Sequence, residues 1–243
     1  MRAAAKQAQD EESLMRFLAK KYVIKSMRPD GDCGYELMCR WKEIHAARKR
    51  GYSLSKKIID EPIPAKEINA MRNAIAAEQE RQINQKGNTF LQTVIGQSML
   101  DWSRSPLENN GRNGEVAAAI QARSAGMLET AWVNSAQSLA LHSSLVRTGK
   151  NEVFAESPEM EAFSLLIGSS LALYLPGYCE FYPQSRYSKA NTEVLVGICN
   201  GNHYYLAVPK EWIVDQQEHT SGIKKVLLCF YYDTFNYFLM IIS

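Results

Sequence analysis

Two short segments of the sequence carry residues that together could perform nucleophilic chemistry. Cys33 follows the turn-forming residues Asp30, Gly31 and Asp32 and precedes an amphipathic run. His203 follows a turn and opens an apolar, strand-like run. A thiol at the start of a helix is stabilised as a thiolate by the unpaired N–H groups and the positive end of the helix dipole. An imidazole can accept the thiol proton, so the two segments predict the nucleophile and base of a cysteine hydrolase.

Each of these residues also has an ordinary structural interpretation. Cysteine is often a small buried hydrophobe, and a strand histidine is often half-buried against a backbone carbonyl. We interpret the cysteines that lack a turn-to-helix setting as structural: Cys39, Cys179, Cys199 and Cys229. No pair of histidines has the spacing of metal ligands, so the sequence predicts no metal site. The hydrolytic chemistry itself needs no cofactor.

The composition bounds the class of protein. The 243 residues are 46% apolar and 22% charged, which is typical of one globular domain over 1–243. The formal net charge of +2 argues against a nucleic-acid partner. Five cysteines, an odd number without a C-x-x-C spacing, favour a reducing compartment. We expect no signal peptide, and we interpret the apolar run 226–242 as two buried strands rather than a membrane span.

The pattern of periodicity favours helices first and strands later, which indicates an α+β fold. Residues 90–148 show no strand signal and are predicted to be a helical insertion within the domain, with a loop over 109–114. The segment 177–191 is predicted to be a loop by its Pro, Gly and Ser content. The predicted helices cover 11–21, 33–49, 65–85, 91–102 and 117–145, and a further helix begins near Pro158 with Ser157 as its N-cap. The predicted strands cover 170–175, 192–199, 203–208, 225–232 and 235–242.

The segment from Asp30 to Tyr35 resembles the nucleophile motif of the ovarian tumour (OTU) family of cysteine proteases, D-G-N-C-L-[FY]. The segment from Asn202 to Tyr204 resembles the histidine motif of that family, in which the histidine precedes an aromatic residue. Between them, Met71-Arg72 resembles a Met/Leu-Arg pair on a helix. Residues 156–174 resemble the helix and strand that precede the histidine strand. Two positions depart from the pattern, since Asp32 replaces Asn and Gly34 replaces a larger apolar residue.

The resemblance implies a papain-like, OTU-type α+β fold, with a small, mostly antiparallel sheet flanked by helices. It implies a deubiquitinase that hydrolyses the isopeptide bond after the C-terminal glycine of ubiquitin, through a thioester on Cys33. The implied partners are ubiquitin or polyubiquitin chains, with neither nucleic acid nor membrane, in the cytoplasm. The helical segment 90–148 is similar to the enlarged helical lobes of bacterial effector and otubain-like members of the family. This similarity favours a bacterial effector, which would act in the host cytosol.

The resemblance leaves several candidates for the third catalytic residue. Many family members place Asn or Asp two residues after the histidine, where this chain has Tyr205. Asp30 matches the motif aspartate, so the resemblance assigns it as the third residue beside Cys33 and His203. Three other residues are alternatives to Asp30, because each could orient the imidazole: Asn202, Asn200 and Asp233.

Two other functions remain open from the sequence. The chain could be a papain-like peptidase or acyl transferase that acts on a substrate other than ubiquitin. It could also be an inactive ubiquitin-binding module, for which Tyr205 in place of an acid is the hint. Under the ubiquitin hypothesis, Glu180 and the aromatic residues of segment 177–191 would contact the arginine-bearing ubiquitin tail.

Overall fold

The computed structural model describes residues 12–29, 31–104, 111–148, 155–184, 194–200 and 203–214, with only the backbone for 103–104 and 111–117. The helices are α1 (residues 12–18), α2 (Cys33–Lys49), α3 (Lys56–Asp60), α4 (Ala65–Lys86), α5 (Thr89–Arg104), α6 (Gly111–Ser124), α7 (Glu129–Val133), α8 (Ala136–Thr148) and α9 (Ser157–Ile167). The strands are β1 (Tyr22–Ser26), β2 (Ser170–Leu175), β3 (Tyr178–Tyr182), β4 (Val194–Asn200) and β5 (His203–Pro209). The predicted α+β class is confirmed.

Within the described residues the strands form one sheet with the order β1-β5-β4-β2-β3. The β2–β4 pair is parallel and the other pairs are antiparallel, so the sheet is mostly antiparallel as predicted. The N-terminal strand β1 pairs with β5, which places Ser26 opposite Tyr205. At the end of the β4–β5 pair, Asn200 lies opposite His203. The first residue of β5 therefore lies at the end of the sheet, beside the last residue of β1.

Helix α2 lies against the sheet, and every residue from 33 to 41 is buried. The helix crosses β4 at Gly197, where an added Cβ would lie 2.7 Å from Cζ2 of Trp41. The indole N–H of Trp41 donates to the carbonyl oxygen of Val196 at 3.2 Å. A side chain at position 197 would therefore push the helix away from the sheet. This close approach fixes where the helix begins relative to the strands.

The apolar core has separate parts. The largest part lies between one face of the sheet and the helices α2, α4 and α9. A second cluster joins α5, α7 and α8, and Trp102 and Leu145 pack against both clusters. A third lies on the opposite face of the sheet, where Leu18 of α1 packs against Ala172 and Ala207. The helices between residues 90 and 148 thus have core residues of their own, and the boundaries of the predicted insertion stay a prediction.

Three local predictions are wrong. Residues 178–182 of the predicted loop form β3, because they pair with β2 in an antiparallel hairpin. Helix α6 begins at Gly111, inside the predicted loop over 109–114. Glu156, rather than Ser157, is the N-cap of α9, because Glu156 and Glu159 form a reciprocal capping box. The predicted strands 225–232 and 235–242 lie outside the described residues.

Candidate active site

The nucleophile candidate, Cys33, is the first residue of α2, and Asp32 is the N-cap. The N–H of Glu36 donates to the carbonyl oxygen of Asp32 at 2.8 Å, which is the first turn of the helix. The Asp32 side chain makes no capping hydrogen bond. Its Oδ1 accepts instead from Nε of Arg72 at 3.0 Å and from Nη2 of the same side chain. The carboxylate next to the thiol is therefore held by α4 rather than by its own helix.

The Arg72 guanidinium is 1% exposed and lies 3.8 Å from the ring centroid of Tyr35. On the other side of the loop before α2, the N–H of Arg28 donates to Oε2 of Glu36 at 2.7 Å. These contacts hold the loop from two directions, through a charge-assisted pair and an aromatic face. Residues 28 and 32 are thereby held on either side of position 30. Asp30, predicted as the third residue, lies outside the described residues.

Gly34 brings the start of α2 against the histidine strand. An added Cβ there would lie 2.5 Å from Cβ of Ala155 and 3.2 Å from the ring of Tyr204. The Tyr204 hydroxyl donates to the carbonyl oxygen of Ala155 at 2.5 Å, which holds the ring in place. This packing explains the departure from the larger apolar residue of the resembled motif, because the Tyr204 ring and Ala155 fill that volume. Cys33 itself is only 2% exposed.

The base candidate, His203, is half-exposed at the first position of β5. Its Nε2 lies 2.8 Å from Oγ of Ser26. Its ring meets that of Tyr205 edge-to-face, with centroids 4.7 Å apart and planes at 89°. Alternation along β5 places His203 and Tyr205 on the opposite face from Tyr204. The imidazole is thus held by β1 and by its own strand, at the end of the sheet.

The structure brings the surroundings of Cys33 and His203 together, because their chain neighbours approach closely: a Cβ added at Gly34 would lie 3.2 Å from the Tyr204 ring. Asn200 is the strand partner of His203 in the β4–β5 pair. Two of the alternative third residues, Asn202 and Asp233, lie outside the described residues. Sequence reasoning missed Ser26, which is 177 positions from His203 and has no motif around it. It also missed the pairing of Arg72 with Asp32, although both residues lie in segments that resemble the family.

The other described cysteines are unlike an activated thiol. Burial raises the pKa of Cys39 to about 12, and the nearby Glu67 adds to the increase. Burial also raises the pKa of Cys199, and the neighbouring Cys33 contributes to that increase. Burial raises the pKa of Cys179 in the same direction. These thiols are therefore protonated near neutral pH, as the structural interpretation expects. Among the described residues, no group of His, Cys, Asp and Glu has the arrangement of a metal site.

A cleft of about 740 Å³ lies next to this region. It runs between α5, the start of α9 and the strands β2 and β3, and it ends against Cys199 and Tyr204. Among its described lining residues are three acids and no Lys, Arg or His: Asp101, Glu156 and Glu180. Burial raises the pKa of Glu156, whose carboxylate accepts from Oγ of Ser98 at 2.9 Å. Because its described lining has three acids and no basic side chain, the cleft is suited to a positively charged group.

Comparisons with known proteins add little to this geometry. No protein-family model matches the chain, and no curated protein matches its sequence. Among solved structures, the chain is similar to a viral OTU domain protease from Taggert virus, with a TM-score of 0.39 and 10% identity. That match covers 79% of this chain and 83% of the viral one. In the part of the chain that the structure describes, no helix combines the length and apolarity needed to cross a membrane.

Proposed function

We propose that the chain is an OTU-like cysteine hydrolase that cleaves the isopeptide bond after the C-terminal glycine of ubiquitin. The observation that carries the proposal is the contact between Gly34 and Tyr204. This contact joins a helix that begins with a cysteine to a strand that begins with a histidine. The motifs around both residues resemble those of one family and occur in the order of that family along the chain.

The proposed reaction uses the thiol of Cys33 and the imidazole of His203 across the end of β5. His203 accepts the thiol proton, and the sulfur attacks the carbonyl carbon of the substrate glycine. Backbone N–H groups at the start of α2 and in the loop around Asp30 stabilise the oxyanion. The C–N bond breaks, and His203 returns its proton to the leaving lysine amine. Water then hydrolyses the thioester and regenerates the thiol.

The acidic cleft supports ubiquitin as the substrate. The ubiquitin tail is extended and carries arginines before two glycines. The carboxylates of Asp101 and Glu180 offer partners for guanidinium groups, and the rings of Trp102 and Tyr178 offer cation–π faces. In this arrangement the helix α5, within the predicted insertion, forms one wall of the tail-binding cleft.

A ubiquitin probe with an electrophilic C-terminus tests the proposal directly. The wild-type chain should form a covalent adduct, and peptide mapping should place the adduct on Cys33. A panel of linkage-defined di-ubiquitins should then show turnover of at least one linkage. An adduct on another cysteine, or none, contradicts the proposal. Turnover of unrelated peptides without any labelling by the ubiquitin probe would assign the chain to the papain-like peptidases or acyl transferases.

One observation favours a second candidate, a ubiquitin-binding module without turnover. Cys33 is 2% exposed, so its thiol is covered by neighbouring groups. In this case the chain would bind mono- or di-ubiquitin measurably by calorimetry but would neither react with the probe nor cleave any linkage. Binding that is lost in Glu180→Arg without any turnover by the wild-type chain would establish this candidate.

A further inference from the structure

Ser26 is the polar side chain that the structure places against the His203 ring. Its Oγ lies 2.8 Å from Nε2, a good hydrogen-bond distance. Ser26 pairs with Tyr205 in the β1–β5 register, and the N–H of Met27 donates to the carbonyl oxygen of Tyr204 at 3.2 Å. Backbone pairing on both sides of the hydroxyl therefore holds it at the end of the sheet.

The direction of this hydrogen bond follows from the second partner of the hydroxyl. Ser26 Oγ also lies 3.2 Å from the carbonyl oxygen of Met27, an acceptor to which the hydroxyl can donate. With its hydrogen on that carbonyl, the hydroxyl presents a lone pair to His203, and Nε2 carries the ring hydrogen. A neutral imidazole has one ring hydrogen, so Nδ1 keeps the lone pair that a base needs.

The Tyr205 ring restricts the imidazole further. It meets the His203 ring edge-to-face at 4.7 Å, an arrangement that aromatic rings prefer. Tyr205 occupies the position at which the resembled family often has Asn or Asp, and it contributes ring packing there. The role of acceptor on the imidazole is thus filled from β1, by a residue far away in sequence.

We propose that Ser26 is a positioning residue, which holds His203 as the Nε2–H tautomer and leaves Nδ1 free to take the thiol proton of Cys33. This inference rests on the proposed function of Cys33 and His203. It predicts a defined tautomer in the resting protein, which can be measured without any substrate.

The tautomer is measured by long-range ¹H–¹⁵N correlation of the histidine rings in ¹⁵N-labelled protein. The His203 signals are identified by their loss in His203→Ala. We expect the Nε2–H form in the wild-type chain and a mixture of both tautomers in Ser26→Ala. In Ser26→Asp, a carboxylate that can only accept lies beside the ring, so the Nε2–H form should be kept. A wild-type ring in the Nδ1–H form would overturn the inference.

The second measurement is the rate at which iodoacetamide alkylates Cys33 as pH is varied. Removing this solvent-exposed hydrogen bond should slow alkylation near neutral pH about tenfold in Ser26→Ala, and Ser26→Thr should restore the rate. Ser124→Ala is the matched control, because it also removes a hydroxyl that donates to a backbone carbonyl, but on α6. If Ser26→Ala reacts at the same rate as Ser124→Ala, the positioning role is refuted.

The alkylation rates of two variants distinguish the proposed role of Cys33 and His203 from the role of Ser26. If His203→Ala leaves the alkylation rate of Cys33 unchanged, the proposed function fails together with the role of Ser26. If His203→Ala slows alkylation and Ser26→Ala does not, the pairing of Cys33 with His203 stands and only the inference about Ser26 is wrong.

Discussion

The two halves of the proposed site have very different surroundings. Cys33 begins a helix whose first residues are all buried, and the loop before it is tied to α4 by the Arg72–Asp32 ion pair. His203 begins a strand at the end of the sheet, where it is half-exposed and contacts Ser26 and Tyr205. The nucleophile is thus part of the buried core, whereas the histidine lies half-exposed at the end of the sheet.

Because of this difference, we expect substitutions in the two halves to affect stability and activity differently. Changes around Cys33 alter packed groups and a charge pair that is mostly removed from water, so they should affect stability and activity together. Changes around His203 remove contacts that water can partly replace, so they should affect activity alone. We make four predictions from this contrast.

The largest effect should come from Cys33→Ala, the exception within the nucleophile half. Loss of the nucleophile should lower turnover of di-ubiquitin by several orders of magnitude. A small side chain replaces another small side chain, so the free energy of unfolding should fall by only about 1 kcal/mol. Cleavage assays and urea unfolding followed by circular dichroism measure the two quantities on one preparation. A folded variant with near-normal turnover would refute the mechanism.

A nearly equal loss of turnover should follow from His203→Ala, because a base and its nucleophile act as a unit. Alkylation of Cys33 near neutral pH should also slow. The free energy of unfolding should stay within about 0.5 kcal/mol of that of the wild type. Burial raises the pKa of both Cys39 and Cys199, which slows their alkylation near neutral pH. Peptide mass mapping identifies the labelled cysteine. An unchanged rate of alkylation means that the two groups do not interact.

A smaller loss, this time in stability, should come from Arg72→Met. Without the guanidinium the Asp32 carboxylate has lost its ion-pair partner, and the ring of Tyr35 has lost its cation. We expect a loss of about 2–3 kcal/mol, below that for a fully buried pair because the Asp32 side chain is 26% exposed.

The control for this prediction is the double variant Arg72→Met with Asp32→Asn, which also removes the carboxylate charge that Arg72 had bound and introduces the residue of the resembled motif. Its stability loss should be clearly smaller than the sum of the two single losses. Additive losses, measured by denaturant unfolding of the three variants, would mean that the ion pair contributes nothing measurable.

The smallest effect should come from Glu180→Arg, since it changes one wall of the cleft. Reversal of the charge should raise KM for di-ubiquitin by about tenfold and leave kcat and the alkylation of Cys33 unchanged. Glu180→Gln, which keeps an acceptor for the Tyr182 hydroxyl, should raise KM less. Glu61→Arg makes the same change in net charge outside the lining of the cleft and serves as the control. Equal KM values for both Arg variants would remove Glu180 from the substrate site.

Much of the fold follows from local patterns. The helix over Cys33–Lys49 and the strand over Ser170–Leu175 have the predicted bounds, because a turn or a capping sequence precedes an uninterrupted period. The strand Tyr178–Tyr182 was missed because its Pro and Gly neighbours are typical of loops. Its conformation depends on pairing with β2, a partner that local propensity does not indicate.

The site was predictable only in part for the same reason. Cys33 and His203 could be proposed from motifs, since each has its own turn and its own element. The Ser26 hydroxyl and the Arg72 guanidinium act on residues distant in sequence, and no local signal marks an ordinary serine on a strand. The resemblance of residues 71–72 to a family pair pointed to the right helix without indicating that Asp32 is its partner.

The pairing of β1 with β5 also has a consequence for the order in which the protein is made. Ser26 and His203 are 177 residues apart, so the cysteine and its helix leave the ribosome long before the histidine exists. Contacts of such long range form late in folding, because the intervening chain must first be closed into a loop. The growing chain therefore carries its thiol without its proposed base. Under the proposed function, activity would begin only when the last described strand docks beside the first.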